Sequence, residues 1–339
     1  MSKILTISIA AYNVEQYLRE NLDSLIVPEI MKDIEVLIVD DGSIDKTGSI
    51  ALEYQRKYPE TFVYVKKENG GHGSTINKGI SLATGKYFRI IDGDDYVDSK
   101  SFLKFVERLK KCDDDIVLSD LRVVNSMGEI KIDPGILEKR INPFDTLCDG
   151  KHYCFSESIN TRVFGLSSLT VKTQLLKDND VKITEKCFYV DVEYIIWCIF
   201  LAENFTYFSY PVYMYRKDDN GNNSVNKKNM IKNVAMQEKV SLKLCQLYEQ
   251  FQMNCKNDIK LDAIINRIAI SLGATYRTYM LMPLTECKIN IKRIDKLVRD
   301  NFPLASKRLD RNAFVKYVRS CNYLLIPLIR VFYNLYIKR

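Results

Sequence analysis

Three aspartates lie within four positions of one another, directly after a segment that is typical of a buried strand. The segment 87–91 is almost entirely β-branched or aromatic, and Asp92, Asp94 and Asp95 follow it. Gly93 lets the backbone turn there without a Cβ clash. Crowded carboxylates repel one another unless a cation lies between them, and Mg²⁺ and Mn²⁺ are hard cations that also bind phosphate oxygens. We therefore predict a divalent metal site; an ordinary acidic turn is the alternative.

Earlier strand ends carry polar and small residues that suit a nucleotide. Apolar segments at 4–9, 34–39 and 62–65 alternate with segments of helical periodicity, which predicts a mostly parallel sheet flanked by helices. Ligands bind at the carboxyl ends of such strands. The loops there offer a ring for stacking, acids for base or ribose, and glycines for close approach to phosphate. These residues are Tyr12, Asp40, Asp41, Gly70, Gly71 and Gly73.

The glycine spacing in the loop after the third strand excludes two kinds of nucleotide-binding site. Its glycines do not have the spacing of a Walker or a dinucleotide-binding loop, so neither an ATPase nor a dehydrogenase is indicated. His72 lies between two of these glycines and either contacts the ligand or is an exposed loop residue. Asn13 is expected to act as the N-cap of the first helix.

Four motifs stand in a specific order over the first 95 residues: Ala11-Tyr12-Asn13, 39–47, 69–79 and 83–95. Together they resemble the family 2 glycosyltransferases, which are inverting enzymes of the Rossmann-like GT-A fold that use nucleotide sugars. The resemblance implies metal binding by Asp92, Asp94 and Asp95, with Mn²⁺ or Mg²⁺ as the cofactor. It also implies donor binding by a larger set of residues, namely Ala11, Tyr12, Asn13, Asp40, Asp41, Gly71, Gly73, Asn77, Asp92 and Gly93.

A further part of the resemblance lies at 189–194, where the family has an acid pair followed by an aromatic residue. It implies that Asp191 is the catalytic base, with Glu193 as the substitute. Without the resemblance, an aspartate before an apolar helix is more often an N-cap. Val190 replaces the first acid of the family's pair. The segments 213–216 and Ser224-Val225 resemble the part that closes many such domains.

One departure concerns the charge near the donor's diphosphate. Ile76 stands where many members of the family have an arginine. The missing positive charge must then come from another residue, and Lys78 and Arg216 are the two candidates.

The net charge of +7 resides in the C-terminal tail. Residues 302–339 contain eight bases and one acid, Asp310, whereas the preceding 301 residues are neutral. Predicted helices at 311–320 and 323–336 combine these bases with aromatic residues, a composition typical of a helix lying on an anionic membrane. Packing on the catalytic domain or a homodimer interface is the alternative. Pro327 predicts a kink, and no module for nucleic acid accompanies the charge.

Composition limits the compartment and the type of metal site. Nine scattered cysteines without a Cys-x-x-Cys pair indicate reduced thiols in a cytoplasmic protein. The N-terminus enters a strand directly and no run of apolar residues is long enough for a membrane span, so we expect neither a signal peptide nor a transmembrane helix. Two histidines exclude a His-rich metal site. The charged run 110–115 is expected to be a solvated helix end that leads into a strand at 116–118.

These observations predict two domains, a GT-A catalytic domain at 1–222 and a helical C-terminal domain at 223–339. The predicted activity is metal-dependent transfer of a sugar, most simply a hexose from a UDP-sugar, to a growing glycan that is lipid-linked or protein-attached. We expect a cytoplasmic protein that contacts the inner face of the membrane through 307–339. A nucleotidyltransferase and an inactive scaffold are the alternatives; the first lacks its basic, glycine-rich motif near position 10.

Overall fold

The computed structural model describes residues 3–125, 129, 147–155, 163–217 and 226–337. The predicted boundary at 222, the segment Ser224-Val225 and the last two bases, Lys338 and Arg339, lie outside these ranges. The described chain divides into two compact units. The first contains the described residues of 3–186 and 197–217, and the second contains 187–196 and 226–337.

The first unit is built on one mixed sheet. Its strands are β1 (Leu5–Ala11), β2 (Ile34–Asp40), β3 (Phe62–Lys66), β4 (Tyr87–Asp92), β5 (Tyr96–Val97), β6 (Ile116–Val124), β7 (His152–Cys154), β8 (Leu169–Lys172) and β9 (Asn204–Arg216). They follow the order β3-β2-β1-β4-β8-β6-β9-β5, and β7 pairs with β9. Strands β1 to β4 pair in parallel, as the alternating pattern predicts. Strand β8 is antiparallel to both of its neighbours.

Helices lie between several of these strands along the chain. They are α1 (Leu18–Ser24), α2 (Thr47–Lys57), α3 (His72–Leu82), α4 (Ser99–Leu109), α5 (Thr173–Asp178) and α6 (Asp191–Leu201). The division between the two units falls inside α6. Side chains from β1, β2, α1 and α4, such as Ile7, Ile38, Leu22 and Phe102, form one continuous apolar core. The predicted α/β architecture with a helical C-terminal region is confirmed.

The start of α1 differs from the sequence-based expectation. The helix begins at Leu18 with Tyr17 as its N-cap, so Asn13 does not cap it. Asn13 instead adopts φ 52°, a left-handed conformation that asparagine tolerates. Its side-chain oxygen accepts a hydrogen bond from the backbone N–H of Ile44, 31 residues away. Because this partner belongs to another loop, the local pattern around position 13 did not reveal it.

The second unit is helical apart from its connections. Its helices are α7 (Lys227–Lys232), α8 (Val234–Asn254), α9 (Asp258–Met280), α10 (Leu284–Asn301), α11 (Pro303–Leu309), α12 (Ala313–Ser320) and α13 (Ile326–Ile337). Asn254 is the last residue of α8, Pro283 lies between α9 and α10, and Pro303 is the first residue of α11. Pro327 is the second residue of α13. Proline is tolerated in the first turn of a helix, so it starts this helix instead of interrupting a longer one.

A buried carboxylate ties the last helices to the rest of the second unit. Asp295 on α10 is fully buried. It accepts hydrogen bonds from the hydroxyl of Tyr276 at 2.6 Å, from the guanidinium of Arg319 at 2.6 and 2.8 Å, and from Tyr323. Burial alone would raise the pKa of Asp295, but these donors hold it below its ordinary value. The network stabilises α9, α10 and α12 against one another.

Candidate active site

Two loops at the carboxyl edge of the sheet are hydrogen-bonded to each other. The backbone N–H of Asn13 donates to the Ser43 hydroxyl at 3.0 Å, and the N–H of Val14 donates to the Thr47 hydroxyl at 2.9 Å. The N–H of Asp41 donates to the carbonyl of Ala11 at 2.9 Å. These bonds fix the loop that carries Tyr12, whose side chain is 52% exposed. Tyr12 therefore lies partly exposed at the sheet edge.

The Asp40 carboxylate holds its own loop. Asp40 is buried, and its two oxygens accept hydrogen bonds from the N–H of Ser43 at 2.8 Å and from the hydroxyl of Tyr64 at 2.7 Å. The bond from the serine N–H shapes the turn at Gly42, which has φ 80°. Asp40 thus fixes the conformation of the predicted donor-binding loop from inside.

Asp41 fixes the neighbouring loop after β3, which contains Gly70, Gly71 and Gly73 and is called the glycine loop below. Its buried carboxylate accepts hydrogen bonds from the backbone N–H groups of Gly70 at 2.9 Å and Gly71 at 2.8 Å. Lys67 Nζ lies 2.6 Å from Asp41 Oδ1 and also donates to the hydroxyl of Ser74 at 2.7 Å. Sequence reasoning missed Lys67, because a lysine that follows a strand has no local feature that distinguishes it from a solvated one.

The glycine loop receives the segment 183–186. An added Cβ at Gly73 would lie only 2.1 Å from the carbonyl oxygen of Thr184. The amide of Asn77 bonds both backbone groups of Ile183, at 2.8 and 2.9 Å, and the N–H of Lys186 donates to the Gly70 carbonyl at 2.6 Å. Gly73 and Asn77, both predicted to bind the donor, therefore hold the segment that leads in sequence to Asp191.

The three aspartates after β4 have different environments. Asp92 is half-buried, Asp94 is exposed and Asp95 is buried. Asp95 accepts hydrogen bonds from the hydroxyl of Tyr213 at 2.6 Å and from the N–H of Arg216 at 2.7 Å. Burial, and then the charges of Asp92 and Asp94, raise the pKa of Asp95 to about 8. Asp95 therefore anchors residues 92–95, called the acidic turn below, to β9.

Asp92 faces the glycine loop. His72 Nε2 lies 3.3 Å from Asp92 Oδ1. Burial would raise the pKa of Asp92, but the hydrogen bond and charge of His72 hold that pKa below its ordinary value. The amide of Asn21 fixes the backbone of the turn by donating to the carbonyls of Asp92 at 3.1 Å and Asp95 at 2.8 Å. His72 thus joins the glycine loop to the acidic turn.

Two of the carboxylates fit a divalent ion that also binds phosphate. Among the described residues, no three His, Cys, Asp or Glu side chains converge as a metal site. Mg²⁺, however, commonly takes one or two carboxylates and completes its shell with waters and substrate phosphates. Asp92 and Asp94, which are only partly buried and exposed respectively, are the pair that we propose for such an ion. Between them, Gly93 packs so closely on β1 that an added Cβ would lie 2.9 Å from the carbonyl oxygen of Ala10.

The three positions considered for charge near the donor differ in exposure. Ile76 is buried. The side chain of Arg216 is 4% exposed; its Nε donates to the carbonyl of Asp94 at 2.9 Å and its Nη2 lies 2.6 Å from Glu20. Arg216 thus supports the backbone of the acidic turn from below. Lys78 on α3 is exposed, so it is the candidate whose ammonium group faces solvent.

Asp191 belongs to the second unit, where it is the first residue of α6 and is half-buried. The substitute candidate, Glu193, is fully buried. Arg267 on α9 of the same unit interacts electrostatically with Asp191. Burial lowers the pKa of Arg267 to about 10, and the charge of Asp191 opposes that shift. A nearby positive charge favours the ionised form of a carboxylate, which is the form that a general base requires.

Most of the site residues described above lie in a part of the chain that matches a known protein family. Residues 6–155 match the model of glycosyl transferase family 2. This segment is a family 2 glycosyltransferase domain. The predicted family is therefore confirmed, and the match includes the acidic turn, the glycine loop and the loops at 11–13 and 40–43 of the glycosyltransferase domain.

A curated relative of the glycosyltransferase domain is the poly(ribitol-phosphate) beta-glucosyltransferase of Bacillus spizizenii. It is 33% identical over 180 residues, which are 52% of this chain and 26% of the relative. An uncharacterized glycosyltransferase, EpsJ of Bacillus subtilis, is 38% identical over 117 residues, which are 34% of this chain and 33% of EpsJ. The chain thus spans about a quarter to a third of the length of these relatives.

Solved structures extend the likeness to nearly the whole chain. Residues 1-349 of TarS from S. aureus, in complex with UDP-GlcNAc, have a TM-score of 0.64 and 20% identity and cover 94% of this chain and 92% of that one. The mannosyltransferase PcManGT of Pyrobaculum calidifontis, in complex with GDP-Man and Mn²⁺, has a TM-score of 0.52 at 15% identity and covers 100% of this chain and 89% of that one. Identities this low show the fold alone, and the predicted GT-A fold is confirmed.

We predict that Gly73→Ala disturbs the segment 183–186 without unfolding the chain. The new Cβ would overlap the carbonyl of Thr184, so the segment must move and the hydrogen bond from the N–H of Lys186 to Gly70 must weaken. Hydrogen exchange measured by mass spectrometry should therefore be faster at Lys186. Gly165→Ala is the matched control, because a Cβ added there would lie 3.6 Å from the hydroxyl oxygen of Ser168, an ordinary van der Waals contact. Unchanged exchange at Lys186 would contradict the docking of this segment.

Proposed function

We propose that this protein is an inverting glycosyltransferase that transfers a sugar from a UDP-sugar to a hydroxyl of a surface glycan. The family 2 match over 6–155 carries the proposal. The choice of UDP is supported by the S. aureus TarS structure, which contains UDP-GlcNAc. The family match argues against the alternative of a nucleotidyltransferase. An inactive scaffold would fold in the same way but would not turn over a donor.

The arrangement at the sheet edge supports donor binding by the first unit. Tyr12 presents an exposed ring for stacking on the base, and the glycine loop permits close approach of backbone N–H groups to phosphates. Asp92 and Asp94 would hold Mn²⁺ or Mg²⁺. When bound, such an ion neutralises the charge that develops on the diphosphate leaving group. Asp40, Asp41 and Asp95 act indirectly, because their carboxylates keep these loops in place.

We propose that Asp191 is the general base. Inversion at the anomeric carbon is a single in-line displacement, so one group must remove the proton of the acceptor hydroxyl as the new bond forms. Asp191 is half-buried, whereas Glu193 is fully buried, which favours Asp191 for contact with an acceptor. The N-terminus of α6 and the charge of Arg267 both favour the ionised carboxylate.

The acceptor we propose is a polymer of the bacterial cell surface. The Bacillus spizizenii relative is named for transfer to poly(ribitol-phosphate), and a relative from Staphylococcus aureus is named as a poly(ribitol-phosphate) beta-N-acetylglucosaminyltransferase. We therefore favour a teichoic-acid-type glycan that is lipid-linked during its assembly over a protein-attached glycan. Incubation with UDP-sugars and purified poly(ribitol-phosphate) or a glycoprotein acceptor would distinguish the two.

The metal assignment predicts that Asp94→Ala loses metal-dependent donor binding. The fold should be kept, because this side chain is exposed. We expect the affinity for UDP in the presence of Mn²⁺ to fall about tenfold or more, which corresponds to about 1.4 kcal/mol, as measured by calorimetry. Glu29→Ala, at another exposed acid of the same unit, is the control and should bind UDP normally. Equal affinity for UDP with Mn²⁺ and with EDTA would refute the assignment.

If Asp191 is the general base, its replacement should slow sugar transfer without weakening nucleotide binding. Asp191→Asn should retain its affinity for the nucleotide, because the change is isosteric and lies outside the glycosyltransferase domain at 6–155. Transfer should fall by about 10²–10⁴-fold, the usual contribution of a general base. Asp178→Asn removes an exposed carboxylate in the same way and should leave transfer unchanged. Near-normal transfer by Asp191→Asn would exclude Asp191 as the base.

We also propose that the C-terminal helices contact an anionic membrane. None of the described helices is long and apolar enough to cross a membrane. The last helix and the turn before it nevertheless expose apolar side chains: Leu324 in the turn is 77% exposed, and Leu328 and Val331 on α13 are 52% and 54% exposed. Lys307, Arg311 and Lys316 are exposed bases of the same unit. Exposed apolar residues together with bases are typical of an interfacial helix.

This proposal predicts that Leu324→Glu with Leu328→Glu releases the protein from vesicles that contain phosphatidylglycerol. Both side chains are exposed, so the fold should be kept while the apolar contact is lost and a negative charge is added. Sedimentation with vesicles measures binding, and Met253→Glu, at a residue 79% exposed on α8, is the control. Unchanged sedimentation would exclude the membrane role. A change from dimer to monomer in light scattering would instead identify a homodimer interface.

A further inference from the structure

A cysteine, a histidine and an aspartate form a hydrogen-bonded chain in the first unit, away from the loops at the sheet edge described above. His152 and Cys154 lie on β7, and Asp114 lies just before β6. His152 Nδ1 lies 2.7 Å from Asp114 Oδ1, and Cys154 Sγ lies 3.4 Å from His152 Nε2. The glycosyltransferase chemistry proposed above does not use any of these three side chains.

The carboxylate determines which nitrogen of the ring accepts a proton. Asp114 is 14% exposed, and its second oxygen accepts a hydrogen bond from the Thr206 hydroxyl. With the carboxylate held in this way, Asp114 Oδ1 accepts the hydrogen bond donated by His152 Nδ1–H. The tautomer with the proton on Nδ1 leaves the Nε2 lone pair directed at the thiol. His152 can therefore take the proton of Cys154, and Asp114 stabilises the imidazolium that results.

Position along the strand explains why the thiol and the ring meet. Residues two apart on a β-strand point to the same face, so His152 and Cys154 lie side by side on β7. Both residues are exposed. The charged run 110–115 was predicted to be a solvated helix end, but its Asp114 is largely buried and bonded to His152. An exposed thiol, a base and a group that orients the base are the components of an activated nucleophile.

The other cysteines provide a comparison within the same molecule. All nine cysteines are free, and only Cys148 and Cys154 are exposed. The backbone N–H of Cys148 donates a hydrogen bond to the hydroxyl oxygen of Tyr153 at 2.7 Å. Among the described residues, none hydrogen-bonds to the thiol of Cys148. Exposure alone therefore does not distinguish the two thiols, whereas the histidine does.

We propose that Cys154 is a reactive thiol, activated by His152 and Asp114, that forms mixed disulfides with low-molecular-weight disulfides. His152 removes the thiol proton, and the thiolate attacks one sulfur of the disulfide. The sulfur–sulfur bond of the reagent breaks as the bond to Cys154 Sγ forms, and the departing thiolate takes the proton from His152. Cys154 is thereby oxidised, and one half of the reagent is reduced to a thiol. This modification site is independent of the proposed glycosyl transfer.

Competitive labelling of the native full-length chain tests this proposal. The protein is treated at pH 7 with limiting oxidised glutathione, and in parallel with limiting iodoacetamide, and modification of each cysteine is followed by peptide mass spectrometry. We expect Cys154 to react about tenfold faster than Cys148 with both reagents, since the fraction present as thiolate controls the rate. In His152→Ala, and in the larger replacement His152→Gln, this ratio should fall to about one.

Comparing the rates of Cys154 and Cys148 within one molecule distinguishes loss of thiol activation from loss of folding. Loss of folding would raise the reaction of buried Cys198 and Cys245 as well, so unchanged labelling of those two thiols confirms that each variant is folded. Asp114→Asn should give an intermediate ratio, because the ring loses the group that orients it. Equal rates at Cys148 and Cys154 in the unmodified protein, or a ratio that survives both histidine replacements, would overturn the proposal.

Discussion

The first unit depends on the burial of one carboxylate. Asp41 directly follows β2 and is buried, and an ionised group is costly in such a place unless donors surround it. Lys67, two backbone N–H groups and the hydroxyl of Ser74 meet that requirement, and they can do so only if the glycine loop curls over the strand end. The curled loop then presents the Gly70 carbonyl to Lys186. One buried charge therefore fixes a loop, and that loop fixes a segment more than a hundred residues later in the chain.

The acidic residues at the sheet edge divide by burial into two kinds. Asp40, Asp41 and Asp95 are buried and bonded to the protein, so their oxygens organise backbone. Asp92 and Asp94 retain exposed carboxylate surface. Residues of one type thus have different roles within a few positions of one another. A substitution at a buried member would disturb the loops before it disturbed a ligand, so loss of activity there would not by itself identify a ligand contact.

The strand and helix pattern was predictable because apolar periodicity is local. So was the set of loops that meets at the sheet edge, since the order of parallel strands brings their carboxyl ends together. The partners of individual side chains were not predictable. Lys67 with Asp41, His72 with Asp92 and Asn13 with Ile44 join different loops, and Asp114 with His152 joins residues 38 positions apart. Such pairs follow from the fold as a whole, and no short segment contains them.

Ion pairs and hydrogen bonds within the C-terminal helices determine which of their positive charges act on the surroundings of the protein. Arg308 pairs with Asp262, Arg319 pairs with Asp295 and Asp310, and Arg330 donates to the carbonyl of Met282. These three bases of the tail are therefore bound within the protein, while the net charge of the chain stays +7. Three bases in 302–337, Lys307, Arg311 and Lys316, are exposed, and at about 1 kcal/mol each they would contribute about 3 kcal/mol at an anionic surface. Such an attraction decays over about 8 Å in physiological salt, so ionic strength governs how far this surface acts.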